Sequence, residues 1–330
     1  MVQAEKPLVT ITGISGYIGS HTTLLFLQDG GFRVRGTVRD KNNEAKIAPL
    51  RTAFGAELFN QLELVEADLD NEESLTNAIN GSTYVVHIAT AITNVTGGEE
   101  EYVRPAVNGT MSVMRACKQF GVRRCVVTSS IASCIGAQPK PALINETHWT
   151  DPDRTGAYGK AKTLAEKAAW DFVAALPDGE KFEVVTILPG FVMGPNLRAE
   201  HFASGGFIKR LMTGEMEVIK ADGCAAVDVR DVALAHLNGI KVAEAANKRF
   251  ILIHSMPHYA DYARPVIAKY APLGWPICQN FAPEDPEAVI TQFDNAASRE
   301  VLGISYRDFA TTMVEMADAM VAQGTVVKPQ

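Results

Sequence analysis

The feature that most constrains this chain is a glycine turn near its N-terminus, set between two apolar segments. Residues 7–11 (PLVTI) lead into Gly13, Gly16 and Gly19, and residues 20–27 (SHTTLLFL) follow. This order predicts a strand, a tight turn and a helix, whose first backbone N–H groups bind a pyrophosphate if no side chain stands at Gly13 or Gly16. Gly19 is expected to let the helix lie close to its strand. A connection that binds no ligand is the alternative interpretation.

Beyond this turn, strand-like and helix-like segments alternate through residue 190. The alternation predicts an α/β fold with a Rossmann-type, doubly wound parallel sheet and crossover helices. We expect a dinucleotide-binding lobe over residues 1–190, completed by about 225–255, and a smaller C-terminal α/β substrate lobe over 191–224 and 256–330. Residues 93–104 are typical of a mobile loop, with a long helix from about 105 to 120.

Charge, apolar runs and cysteines exclude several classes of function. The formal net charge of the 330 residues is -7, so no nucleic-acid partner is expected, because polyphosphate backbones demand a concentrated basic face. Residues 1–6 are polar and leave no room for a secretory segment, and no apolar run reaches the ~18 residues of a membrane span. The five cysteines form no Cys-x-x-Cys pair. We interpret them as reduced thiols of a cytoplasmic protein that binds no metal.

The tip of the second predicted strand carries Arg39 and Asp40. In dinucleotide folds this position faces the adenosine ribose, where an acidic residue binds the 2′-hydroxyl and arginine accommodates a 2′-phosphate. Arg39 therefore favours NADP. A carboxylate of Asp40 turned inwards would favour NAD instead, and a solvated loop charge is the third interpretation of Arg39.

Two further segments are expected to border the cofactor. Asp68 follows the third strand, where it could accept the adenine amino group or, alternatively, cap a helix. Ala89, Thr90 and Ala91 follow the fourth strand, and their small side chains leave room for a cofactor to cross the sheet edge. His87, inside that strand, is interpreted as a hydrogen-bonded core histidine.

A serine, a tyrosine and a lysine form the candidate catalytic set. Ser130 ends the fifth strand, where it points into the ligand crevice of an α/β sheet or caps a turn. Tyr158 and Lys162 are four residues apart, so they share one helical face. A free tyrosine is a poor acid at neutral pH because its pKa is about 10, and a neighbouring ammonium favours its phenolate form.

At this point the sequence resembles the extended short-chain dehydrogenase/reductases, and most closely the branch of dihydroflavonol reductases, cinnamoyl-CoA reductases and related aldehyde and ketone reductases. The resemblance covers most of the chain. It rests on these motifs: Thr12-Gly13-x-x-Gly16-x-x-Gly19, Thr37-Val38-Arg39-Asp40, Asp68-Leu69, His87-Ile88-Ala89-Thr90, Val107-Asn108-Gly109-Thr110, Val127-Thr128-Ser129-Ser130, Tyr158-x-x-x-Lys162, Pro189-Gly190-Phe191-Val192-Met193-Gly194-Pro195 and Val227-Asp228-Val229-Arg230-Asp231-Val232-Ala233.

The resemblance implies the roles of individual residues. Ser130 and Tyr158 would bind the substrate carbonyl oxygen, Tyr158 would donate the proton, and Lys162 would hold the nicotinamide ribose, with Asn108 a possible further member. NADPH would supply the hydride. The implied cofactor contacts are Gly13, Ser15, Gly16, Tyr17, Ile18, Arg39, Lys46, Asp68, Leu69, Ala89, Thr90, Ala91, Tyr158, Lys162, Pro189, Gly190 and Val192.

Departures from the branch patterns bear on the substrate. Where dihydroflavonol reductases carry an asparagine that meets the flavonoid ring, this chain has Ile135, and residues 154–158 read Arg-Thr-Gly-Ala-Tyr instead of the Asn-Trp-Tyr-Cys-Tyr of plant cinnamoyl-CoA reductases. We therefore expect small or varied carbonyl substrates, in a pocket that includes Ile131, Ile135 and Met193.

The sequence thus predicts an NADPH-dependent reductase of ketones or aldehydes, acting as a monomer or a homodimer on a small molecule. A sugar-nucleotide epimerase or a hydroxysteroid-type dehydrogenase on the same scaffold is the nearest alternative. A protein that senses NADP without catalysis is a third, although such relatives usually lose the tyrosine or the lysine.

Overall fold

The computed structural model describes residues 5–90, 98–200, 202–283 and 290–329. Its strands are β1 (Leu8–Thr12), β2 (Arg33–Val38), β3 (Leu62–Glu66), β4 (Tyr84–His87), β5 (Arg124–Thr128), β6 (Leu143–Ile144), β7 (Glu183–Pro189), β8 (Phe191–Met193), β9 (Ala226–Asp228), β10 (Lys248–Leu252) and β11 (Gln292–Phe293). Its helices are α1 (Tyr17–Asp29), α2 (Glu44–Phe59), α3 (Glu72–Ile79), α4 (Glu99–Gln119), α5 (Ala157–Ala175), α6 (Gly205–Thr213), α7 (Val229–Lys241), α8 (Tyr259–Tyr270), α9 (Ala296–Glu300) and α10 (Phe309–Ala322).

Seven parallel strands form the central sheet, in the order β10-β7-β5-β4-β1-β2-β3. The chain order reverses between β1 and β4, and in such sheets ligands bind outside the carboxyl ends of the strands at this switch point. The predicted α/β fold with a Rossmann-type parallel sheet is therefore confirmed.

Apolar side chains cover both faces of the sheet, as a parallel sheet requires. On one face, α1, α2 and α7 pack against the strands around Phe26, Leu50 and Val232. On the other face, α3, α4 and α5 pack around Met114 and Val173. The strands between them are buried on both sides, so their carboxyl ends are held in fixed positions for the site.

A second core lies outside the sheet. It joins α6, α8 and α10 with the end of β8, through residues such as Ile208, Tyr262, Met313 and Met316. Met313, Met316 and Met320 of α10 belong to this core, because a spacing of three and four residues puts them on one face of the helix. The division of the chain into lobes at residue 190 stays a prediction.

Helix α4 corrects one expectation. Residues 99–104 are helical rather than loop, and α4 runs through Pro105. Three glutamates in the first turn stabilise that end of the helix, since carboxylates complement the positive helix N-terminus. Lys160 of α5 also pairs with Glu99, at 2.9 Å between Nζ and Oε1. Residues 93–97 of the expected loop lie outside the described residues.

Helix α2 is the crossover helix between β2 and β3. It contains Pro49 and, in its second half, Gly55, and both residues disfavour a continuous helix. The helix does break at Gly55, whose φ of 74° and ψ of 156° are not helical, whereas burial of Ile47, Leu50 and Phe54 against the sheet stabilises the part before it despite Pro49.

In the part of the chain that the structure describes, we find no helix long and apolar enough to cross a membrane and no cluster of three metal-ligating side chains. All five cysteines are free thiols.

Buried histidines give the fold a pH dependence. His236 of α7 is completely buried, with Nδ1 2.7 Å from the Val232 carbonyl oxygen and Nε2 2.7 Å from Thr128 Oγ1. The carbonyl can only accept, so Nδ1 carries the proton and Nε2 accepts from the hydroxyl. Burial lowers the pKa of His236 to about 4, and burial likewise lowers the pKa of His87 to about 3.

We predict that acidification from pH 7.5 to pH 5 destabilises the protein. Between the unfolded pKa and the lowered folded pKa, the unfolded chain binds a proton that the folded chain excludes, so the free energy of unfolding falls as pH falls. At pH 5 the loss from one such histidine is about 2 kcal/mol. Urea unfolding of the wild type and of His236→Gln at both pH values tests this. An equally steep pH dependence in the variant would show that His236 does not contribute.

Candidate functional site

The glycine turn brings α1 directly onto the end of β1. Gly13 has a φ of 71°, and a Cβ there would lie 2.9 Å from the Cα of Ala89 at the end of β4. A Cβ on Gly19 would collide with the Gly13 carbonyl oxygen. Gly16 is the exposed N-cap of α1 and provides no side-chain cap. The first N–H groups of the helix therefore lack intrahelical partners and face an open turn, as an anion-binding site requires.

Thr12 fixes this turn to β4. Its Oγ1 accepts from the backbone N–H groups of Ile88 and Ala89, at 3.1 Å each, and lies 2.9 Å from His87 Nδ1. Because the hydroxyl oxygen already accepts two hydrogen bonds, its proton goes to Nδ1, which leaves the His87 proton on Nε2. His87 is thus a hydrogen-bonded core histidine.

The tip of β2 carries an arginine that no other side chain of the described residues engages. Arg39 is exposed and has no hydrogen-bond or ion-pair partner among the described residues. Asp40 Oδ1 accepts from the backbone N–H of Asn42 at 2.8 Å, so this carboxylate stabilises its own loop. Lys46, the other expected 2′-phosphate contact, instead pairs with Glu200 at 3.0 Å between Nζ and Oε1.

Asp68 and Leu69, which are expected to contact the cofactor, both make contacts within the protein. Asp68 Oδ1 accepts from the N–H of Asp70 at 3.0 Å, while Asn71 rather than Asp68 caps α3. Leu69 packs against Gly109 of α4, where a Cβ would lie 3.2 Å from its side chain. Ala91 lies outside the described residues.

Ser130 lies between β5 and a short 3-10 turn over residues 131–133. Its Oγ accepts a hydrogen bond from the backbone N–H of Ala132 at 3.1 Å. Ser130 therefore caps the turn, as one of its two sequence interpretations predicts. This contact uses only the oxygen lone pair. The hydroxyl proton remains available to a carbonyl oxygen, so the capping and catalytic interpretations are compatible.

Helix α5 presents Tyr158 and Lys162 on successive turns. Tyr158 lies in the first turn and is 46% exposed, whereas Lys162 is 9% exposed. Lys162 Nζ donates to the carbonyl oxygen of Thr128, at the end of β5, at 3.3 Å. An ammonium has three donors, so two remain for a ligand. The buried lysine is thereby held at the carboxyl edge of the sheet.

A cavity lies between the ends of β4 and β5 and the helices α4 and α5. We call it the inner cavity, and it is lined by Leu69, His87, Ala89, Thr90, Pro105, Ala106, Gly109, Thr110, Val127, Thr128, Ser129, Lys162, Ala165 and Glu166. Of the expected site residues, Leu69, Ala89, Thr90 and Lys162 line the inner cavity, whereas Ser130 and Tyr158 do not. Asn108 is exposed on α4 and is absent from this lining.

Residues 189–193, at the end of β7 and in β8, mainly make packing contacts within the protein. Pro189 is buried, and a Cβ on Gly190 would collide with the Ala225 carbonyl oxygen. Val192 packs against the core of the sheet, and Met193 is completely buried in the second core. Met193 therefore has no surface that a substrate could contact in this structure.

The expected substrate residues after Ser130 are more accessible. Ile135 is 37% exposed and Ile131 is half-buried. Ile131 is the first residue of the 3-10 turn that Ser130 caps, and Ile135 lies two residues after that turn.

Tertiary contacts give Tyr17, an expected cofactor contact, a partner within the protein and add His21, to which no sequence motif assigned a role. The Tyr17 hydroxyl donates to the Gly194 carbonyl oxygen at 2.7 Å, and His21 Nε2 lies 2.8 Å from the Pro195 carbonyl oxygen. These contacts attach α1 to the segment after β8. No periodicity or spacing in the sequence indicates such pairs, because the partners are backbone atoms far along the chain.

The sequence matches the model of the NAD dependent epimerase/dehydratase family over residues 9–253. This range contains the glycine turn, Ser130 and the pair Tyr158 and Lys162. The protein therefore belongs to this family.

Individual relatives are reductases. Tetraketide alpha-pyrone reductase 1 of Arabidopsis thaliana is 33% identical over 328 residues, which cover 97% of this chain and 97% of that protein. Cinnamoyl-CoA reductase CAD2 of Medicago truncatula is 32% identical and covers 95% of each chain. The structure of Gre2 from Candida albicans in complex with NADPH has a TM-score of 0.77 and 27% identity, over 96% of this chain and 99% of that one. The resemblance to this branch of reductases is thus confirmed.

Substitution of Arg39, the exposed arginine at the tip of β2, tests the expected contact to the 2′-phosphate. Arg39→Ala should weaken binding of NADPH about tenfold or more and leave binding of NADH within twofold, because only NADPH carries the 2′-phosphate. Fluorescence titration with both nucleotides measures this. Arg33→Ala removes the same charge from the other end of β2 and should change neither affinity. Equal weakening of both nucleotides by Arg39→Ala would mean that Arg39 does not bind the phosphate.

Proposed function

We propose that this protein is an NADPH-dependent reductase that transfers hydride to a ketone or an aldehyde, with Tyr158 as proton donor. The observation that carries the proposal is the arrangement on α5: Lys162 is buried and hydrogen-bonded to the end of β5, one turn from the exposed Tyr158. Its relatives in sequence are reductases that cover nearly all of the chain. The open glycine turn and the unpaired Arg39 fit a dinucleotide with a 2′-phosphate.

Each residue of the set has a distinct task in this proposal. NADPH, when bound, supplies the hydride. The hydroxyl groups of Ser130 and Tyr158 donate hydrogen bonds to the carbonyl oxygen and stabilise the negative charge that develops there. Tyr158 then transfers its proton to that oxygen. Lys162 would hold the nicotinamide ribose, and its positive charge would favour the tyrosine anion left after the transfer.

The substrate side of the proposal concerns the residues after Ser130. Residues 131–137 read Ile-Ala-Ser-Cys-Ile-Gly-Ala and contain no charged side chain. Ile131 and the exposed Ile135 offer apolar surface beside the serine. We therefore propose a neutral carbonyl substrate with an apolar substituent, since a charged one would find no partner in this segment.

We also propose that the protein acts in the cytoplasm, as a monomer or a homodimer. The free state of all five cysteines supports a reducing compartment. Light scattering coupled to gel filtration distinguishes the two assembly states.

Substrate turnover is the direct test of this function. The rate of NADPH oxidation, with NADH in parallel, should be measured across aldehydes, α-dicarbonyls, dihydroflavonols and hydroxycinnamoyl thioesters. We expect turnover of at least one class, faster with NADPH. Tight NADPH binding without any turnover would contradict the proposal and favour an epimerase or a cofactor sensor.

Replacement of the proton donor tests the mechanism. Tyr158→Phe should lower kcat at least about a hundredfold, the usual size of an acid–base contribution, and leave NADPH affinity within threefold. Tyr84→Phe is the matched control, because Tyr84 accepts a hydrogen bond from Arg123 at the opposite edge of the sheet. Undiminished turnover in Tyr158→Phe would exclude this residue as the proton donor.

A further inference from the structure

A buried ion pair joins α5, the helix that carries Tyr158 and Lys162, to strand β10 of the sheet. Glu166 of α5 and Arg249 of β10 have side-chain exposures of 1% and 8%, with 2.7 Å between Nε and Oε1. Two buried charges lose their hydration, and the cost is offset only where further hydrogen bonds satisfy both groups. The partners of this pair therefore indicate what it holds in place.

The Glu166 carboxylate joins α5 to side chains of β7 and β10 and to the residue that follows β5. It accepts from the hydroxyl of Ser129 after β5, from Thr186 Oγ1 of β7 at 2.8 Å, and from Arg249 of β10. Burial acts to raise the pKa of Glu166, but the charge of Arg249 and these hydrogen bonds outweigh it and hold the pKa below its usual value. The Glu166 carboxylate is thus ionised, and its oxygens accept hydrogen bonds from all three of these side chains.

The Arg249 guanidinium extends the network to the loop after β5. Its Nη2 donates to Ser133 Oγ at 3.1 Å, and its Nη1 donates to the His148 carbonyl oxygen at 2.7 Å. The guanidinium carbon also lies 3.6 Å from the centre of the Trp149 ring. This stacking fixes the plane of the guanidinium.

The two serines reached by this network flank Ser130. Ser129 precedes it and bonds to Glu166 directly. The backbone N–H and the hydroxyl of Ser133 both donate to the Ser130 carbonyl oxygen, at 3.0 and 2.8 Å. Ser133 Oγ in turn accepts from Arg249, so both sides of Ser130 depend on the ion pair.

We propose that Glu166 is a positioning residue that fixes Ser130 relative to Tyr158. Glu166 lies two turns after Tyr158 on the same rigid helix, and it holds Ser129 directly and Ser133 through Arg249. The distance between the two hydroxyl groups that bind the carbonyl oxygen is thereby set by one carboxylate. This inference rests on the proposed function.

A second ion pair with a buried carboxylate provides a control, and its arginine, Arg307, has a side-chain exposure of 42%. Asp231 of α7 has a side-chain exposure of 1% and accepts from the backbone N–H and the guanidinium of Arg307. It joins α7 to the segment before α10 and contacts none of the proposed catalytic residues. Asp231→Asn should therefore cost stability without altering catalysis.

The test compares Glu166→Gln with Asp231→Asn, at a temperature where both are folded by circular dichroism. We expect Glu166→Gln to lower kcat at least tenfold with NADPH affinity within twofold, and to increase the primary deuterium isotope effect on kcat, because a misplaced carbonyl slows hydride transfer. Asp231→Asn should keep the wild-type kcat and isotope effect. An unchanged kcat in Glu166→Gln, or an equal loss of kcat in both variants, would overturn the inference.

Ser133→Ala tests the same route if Glu166→Gln does not fold. It removes one hydroxyl and should lower kcat with little change in NADPH affinity. Where Glu166→Gln does fold, the losses of kcat from the two single substitutions should combine less than additively in the double variant, because both act through Ser130. A wild-type kcat in Ser133→Ala would contradict the route through Arg249. Absence of turnover in the wild type overturns the proposed function, whereas wild-type turnover that is insensitive to both substitutions overturns only this inference.

Discussion

The close approach of α1 to the first turn is the constraint on which the rest of the site depends. Gly19 lies against the Gly13 carbonyl group and Gly13 against Ala89, so the backbones of β1, α1 and β4 meet with no side chain between them. Thr12 completes this arrangement through its hydrogen bonds to Ile88 and Ala89. The helix N-terminus is thus brought to the switch point of the sheet, where α/β proteins bind their ligands.

The helix with Tyr158 and Lys162 is held by polar contacts rather than by apolar packing alone. Lys162 donates to the Thr128 carbonyl oxygen, while the Thr128 side chain lies within hydrogen-bond distance of the buried His236 on the opposite face of the sheet. A buried polar group without a hydrogen-bond partner costs free energy, whereas buried groups that are paired form directional hydrogen bonds. They therefore fix the orientation of α5 in a way that apolar contacts do not, which suits a reaction that requires accurate placement of a hydroxyl group.

The segment after β8 is coupled to the glycine turn. The pKa of His21 is lowered to about 4 by burial, so the ring is neutral and Nε2 can donate to the Pro195 carbonyl oxygen. Tyr17 bonds to Gly194, and its ring lies 4.3 Å from that of Phe202. The first turn of α1 thus contacts both the expected cofactor site and the start of the second core. It therefore connects the expected position of the cofactor with the expected position of the substrate.

The sequence by itself determined the fold class and the positions of Gly13, Ser130, Tyr158 and Lys162, because strand and helix periods and short-range spacing are local properties. Tertiary contacts decided the rest. Asp40 bonds within its own loop, Lys46 pairs with Glu200, and Met193 is enclosed in the second core. Glu166 and Arg249 are 83 residues apart, so no local pattern could pair them. Such contacts depend on which side chains the packed sheet brings together, and that is a property of the whole chain.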